Sequence, residues 1–113
     1  MIDDVQKYLA DAIVKVLGDR WKVLILQNLM EGTKRFGELK KSLGDITQKV
    51  LTSNLRMLEE KGLLIREVYA QIPPRVEYTL TAAGYSLKPV LEAMFAWGNE
   101  YRENMLFGIE TLA

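Results

Sequence analysis

The chain has 113 residues, 49% hydrophobic and 27% charged, with 15 Lys and Arg balanced by 15 Asp and Glu. That is a globular composition of one-domain size with room for only a modest core. It contains no Cys and no His, which excludes disulfides, thiolate or imidazole metal sites, Cys nucleophiles and His general acid–base chemistry. The longest apolar runs, such as residues 23–26, fall far short of the ~20 residues that span a bilayer. The chain starts with Asp3 and Asp4 rather than a basic segment and an apolar stretch, so no signal peptide, no membrane contact and a cytoplasmic location are expected.

In chain order, Val5, Tyr8, Leu9, Ala12, Ile13, Val16 and Leu17 recur at helical spacing and predict a helix over residues 4–17. Gly18 is placed to end it in a left-handed cap, and Asp19 to N-cap a second helix over 20–30. That second helix is apolar nearly all round and should be the most buried element. A short segment, 33–36, leads to a helix over about 37–43. Gly44, Asp45 and Ile46 make a tight corner. Thr47 then N-caps a helix that runs to about Glu60 and stops at Gly62.

The period then changes. Residues 64–70 and 76–80 are rich in β-branched and aromatic side chains and read as two strands of a hairpin. The loop between them, 71–75, holds Pro73 and Pro74, which cannot donate to a ladder. Arg75 is expected at the tip of this stiff loop. Thr81 caps a last helical region in which Pro89 marks either a helix start or a bend.

The order of elements predicts one mainly α domain over residues 1–113 with a β-hairpin wing. It is a winged helix-turn-helix, with the helix-turn-helix at about 37–61 and the wing at about 64–80. The helix after the tight corner, 47–60, carries the chemistry. At about 100° per residue, Leu55 and Leu58 fall close to Leu51 and form a buried stripe. Thr52, Arg56, Lys49 and Ser53 fall on the opposite side, and Gln48 projects from the first turn. Amide and guanidinium groups can read base edges in a major groove, while Lys, Ser and Thr meet phosphate. An ordinary solvated surface helix would show the same face. Its neighbours add weight. Residues 33–56 hold six basic residues against Glu38 and Asp45. Of these, Lys34, Arg35, Lys40 and Lys41 are placed to flank a DNA backbone, and outside this stretch Arg75 is placed to enter a minor groove or meet phosphate. The expected DNA-binding set is therefore Thr47, Gln48, Lys49, Thr52, Ser53, Arg56, Arg35, Lys40, Lys41 and Arg75.

The two terminal segments, about 4–17 and 82–113, carry more large apolar side chains than so small a domain can bury. They are expected to form a homodimer through Tyr8, Ile13, Phe95, Trp97, Tyr101 and Leu106, the alternative being that both ends fold back on their own core. A small-molecule effector pocket lined by Trp21 or Trp97 is compatible with the sequence, though plain core packing accounts for both residues. No cofactor, metal site or catalysis is expected. Glu59 and Glu60 are adjacent and point about 100° apart, and Gly32, Gly37 and Gly44 are too dispersed for a phosphate loop. The competing reading is a winged-helix module for protein–protein contact without DNA binding.

Residues 18–87 also resemble the HxlR-type transcription regulators, relatives of the MarR group. Three stretches carry the resemblance: Gly18-Asp19-Arg20-Trp21, then Ile46-Thr47-Gln48-Lys49-Val50-Leu51-Thr52, then Pro73-Pro74-Arg75-Val76-Glu77-Tyr78 followed by Leu80-Thr81 and Gly84. The resemblance implies a winged-helix homodimer on double-stranded DNA, with the first and last helices building the dimer. Several family members sense electrophiles or oxidants through a Cys near the start. This chain has no Cys, so that mechanism does not carry over.

Overall fold

The computed structural model describes the backbone of residues 2–112 and the side chains of residues 2–105. The first helix, α1 (Asp4–Leu17), starts at a reciprocal cap: Asp3 accepts from the Gln6 amide at 2.7 Å, and Gln6 accepts from the Asp3 amide at 3.1 Å. Gly18 follows it with φ −84. The expected left-handed cap is therefore absent; the Gly18 amide instead donates to Val14 O in a last helical turn. Asp19 caps α2 (Arg20–Leu29) by accepting from the amides of Trp21 and Lys22.

Helix α2 is the centre of the core, as its all-round apolar pattern predicts. Ile25, Leu26 and Leu29 are fully buried and pack with Leu39, Ile46, Leu51, Leu55, Leu58, Leu64, Tyr78, Leu80 and Leu91. Lys22 is buried on this same helix, and its ammonium donates to Lys15 O at 3.2 Å. It thereby satisfies one of the carbonyls that the last turn of α1 leaves without an amide partner.

The helix-turn-helix is α3 (Phe36–Leu43), a corner at Gly44 with φ 75, and α4 (Gln48–Glu60). Helix α3 begins one residue earlier than the sequence pattern suggests, because the Glu38 carboxylate accepts from the Arg35 amide at 2.8 Å. Thr47 Oγ1 accepts from the Val50 amide at 3.1 Å and starts α4.

The segment before α3 is not plain loop. Lys34 and Arg35 form a short strand, β1 (Lys34–Arg35), so the sheet has three strands and not two. The others are β2 (Leu64–Tyr69) and β3 (Arg75–Leu80), in the antiparallel order β1-β3-β2. A two-residue strand shows no alternation to read. Its place is set by backbone pairing and by the Thr33–Thr79 hydroxyl contact at 2.7 Å.

The last region is two helices, α5 (Ala82–Tyr85) and α6 (Lys88–Leu112). Thr81 caps α5 and also donates to Gly62 O at 2.6 Å, which ties the wing to the end of α4. Pro89 stands second in α6, so it marks a helix start. The radius of gyration is 17.2 Å and the longest extent 60 Å, against about 13 Å for a compact domain of this length. The excess comes from α1 and α6, which project from the core.

Candidate nucleic-acid interface

Helix α4 turns Leu51, Leu55 and Leu58 into the core with Asn54 beside them. Asn54 satisfies its amide by donating to Val50 O at 3.0 Å. The opposite face is open. Gln48, Lys49, Ser53 and Arg56 are exposed and Thr52 half-buried, and together they line one shallow surface. The cap residue Thr47 is exposed at its start. Among the described residues, none covers this face.

A second cleft, of about 350 Å³, runs between α4 and the wing. It shares Gln48, Thr52 and Arg56 with the first surface and adds Phe36, Glu59, Arg66, Val76 and Tyr78. The pattern of strand residues missed Arg66, although period-2 alternation from Leu64 places it on the helix-facing side of β2. A third cleft brings Arg35 together with Arg75, Gln71, Pro73 and Pro74. Lys40 and Lys41 stand in the last turn of α3, half-buried and exposed, and line none of these clefts.

Arg75 is not at the wing tip. It is the first residue of β3 and pairs across the ladder with Tyr69, so the loop is residues 70–74 and its most exposed apolar side chain is Ile72. Two partners extend the pairing by this one residue. The guanidinium lies 4.2 Å from the centre of the Tyr69 ring. Its Nε lies 3.1 Å from Glu77 Oε2, off the hydrogen-bond direction, so the contact is an ion pair. Tyr69 in turn donates to Glu67 at 2.8 Å. That hydrogen bond, and then the Glu67 charge, hold the phenol pKa above its usual 10.0.

Of the expected dimer residues, Tyr8 is 72% exposed, Ile13 57%, Trp97 65% and Tyr101 51%, while Phe95 is half-buried. The side chain of Leu106 lies outside the described residues. Core packing holds for Trp21, which is half-buried against the core with the Arg20 guanidinium 4.3 Å from its ring. It does not hold for Trp97, which stacks on Tyr101 with ring centres 5.0 Å apart, a spacing that falls near one turn of α6. Trp97 also lines an apolar groove of about 570 Å³ with Val23, Ala93, Met94, Phe95, Gly98 and Asn99; Trp21 does not. Among the described residues, no helix is long and apolar enough to cross a membrane.

A buried three-helix core, an exposed polar helix after a glycine corner and a hairpin beside it define a winged helix-turn-helix protein. The chain belongs to the HxlR-like helix-turn-helix family, whose model matches residues 16–105, and it is a transcriptional regulator of that class. It is similar to the HTH-type transcriptional regulator YdeP of Bacillus subtilis, with 42% identity over 103 residues, 91% of this chain and 80% of YdeP. Among solved structures it resembles the redox regulator HypR in its oxidised form, with TM-score 0.75 and 41% identity over 80% of this chain and 94% of HypR. A MarR-family transcriptional regulator from Porphyromonas gingivalis superposes with TM-score 0.80 and 31% identity, over 88% of this chain and 97% of that one.

Proposed function

We propose that the protein is a homodimeric, sequence-specific regulator that lays α4 in the major groove of a palindromic operator. The observation that carries this reading is the free face of α4. Gln48 and Arg56 have the donor and acceptor groups that base edges require, and Lys49, Thr52, Ser53 and Thr47 flank them. The α4 N-terminus adds unpaired amides and a positive dipole for phosphate. Arg35 and Arg75 face one cleft beside the wing and serve as backbone contacts there. Lys40 and Lys41 extend the positive surface along α3. Such a role calls for a cytoplasmic location with the DNA.

The dimer rests on a separate observation. Helix α1 has no buried residue over its 14 positions, yet it carries Val5, Tyr8, Leu9 and Ile13 in one stripe. Trp97, Tyr101 and Met105 are similarly exposed on α6. Apolar surface of this extent on two projecting helices supports an interface there. A twofold axis there would set two α4 helices about 34 Å apart on the duplex. HypR is named a redox regulator; this chain has no Cys, so its signal does not act through a thiol.

Selection of bound sequences from random duplex DNA tests the proposal. The expected product is an enriched inverted repeat with half-sites about one helical turn apart. Absence of any enriched sequence, with the protein folded, would favour a protein–protein module.

A further inference from the structure

We infer that Arg66 is a DNA-backbone contact that holds one duplex phosphate in the groove between α4 and the wing. The inference rests on the DNA-binding reading above and deepens it. The pattern of β2 makes Arg66 an anomaly. Leu64, Arg66 and Val68 share one face of the strand, and their β3 partners on that face are Leu80, Tyr78 and Val76. Leu64, Leu80 and Tyr78 are buried in the core. An Arg on this apolar face has no packing reason to be there unless the sheet runs out past the core at that point.

It does. Arg66 is exposed and stands beside Tyr78 at the mouth of the groove, across from Gln48, Thr52, Arg56 and Glu59. The ordinary explanation is an ion pair with Glu59. Among the described residues, however, the ion pairs are Lys34–Glu31 and Arg75–Glu77, and Arg66 is in neither. Two guanidinium groups therefore share a groove with one carboxylate, and Arg66, the one on the wing side, gains most from an occupant with anionic oxygens. A phosphate meets that description. The groove and the free face of α4 share Gln48, Thr52 and Arg56. A duplex lying on that face thus presents backbone phosphate to the groove, which favours DNA over a free anion as its source.

The test is fluorescence-anisotropy titration of the full chain at several salt concentrations, on the selected operator and on a duplex of random sequence. Arg66→Gln should weaken binding to both duplexes by the same factor, roughly three- to tenfold. The slope of log affinity against log salt should fall by about one. Arg66→Lys should recover most of the slope, since a point charge suffices for phosphate. Glu59→Gln should tighten binding to both duplexes. Wild-type affinity and slope for Arg66→Gln would overturn the inference. So would a loss of affinity that tracks a lowered melting temperature while the slope stays unchanged. Wild-type protein that binds neither duplex would overturn the DNA-binding reading itself, and this inference with it.

Discussion

In the proposed complex Gln48 and Arg56 read base edges because they are exposed on a helix whose other side is anchored. Arg56→Ala or Gln48→Ala removes a base-edge contact without touching the core, and should cost about 1–3 kcal/mol at the operator while relaxing base preference at one position per half-site. Lys40→Ala should instead weaken binding to all duplexes and reduce the salt slope by about one; titration of operator and random duplex separates the two outcomes. Arg75 is a different case. Its guanidinium is held by Tyr69 and Glu77, so in the proposed complex it meets a phosphate at the cleft it shares with Arg35 rather than reaching out from the wing tip. The type and position of this residue are plain in the sequence. Its neighbours are not, because they depend on which residue of β2 stands opposite it, and register cannot be read from one strand alone.

At the scale of elements, the caps and corners decide where each functional side chain points. Thr47→Ala loses the hydrogen bond to the Val50 amide and should lower stability by about 1 kcal/mol, measured by urea denaturation. Gly84 shows why a small residue stands three positions after Thr81: a Cβ there would collide with the backbone carbonyl oxygen of Leu63. Gly84→Ala should therefore destabilise the fold by about 1–3 kcal/mol, in the same denaturation assay, with little effect on the intrinsic DNA surface. Long periodic elements are legible in the sequence alone. Helices α1, α2 and α4 and the hairpin follow directly from spacing and caps. What the sequence does not display is short or pairwise: β1, whose two residues carry no period, and buried Lys22 and Asn54. Those two polar residues are stabilised by single carbonyl acceptors, at Lys15 and Val50, that no sequence pattern displays.

For the whole molecule, the proposed dimer gives the two projecting helices the task of setting the geometry of DNA recognition. A single subunit offers one α4, and a half-site contact alone is weak; joining two subunits makes the second contact intramolecular. Tyr8→Glu or Trp97→Glu places a charge in the exposed apolar surface of α1 or α6, far from α4. Either variant should be a folded monomer in light scattering, keep binding to random duplex, and lose operator affinity by at least about tenfold. A variant that stays dimeric with unchanged operator affinity would remove these helices from the interface.

Dimethyl sulfate protection of the bound operator measures the central feature most directly, because it reports on guanine N7, an atom that lies in the major groove. Wild-type protein should shield N7 in two patches on one side of the duplex, about one helical turn apart, and Gln48→Ala or Arg56→Ala should reopen part of each. A bound complex in which every N7 stays reactive would contradict the placement of α4.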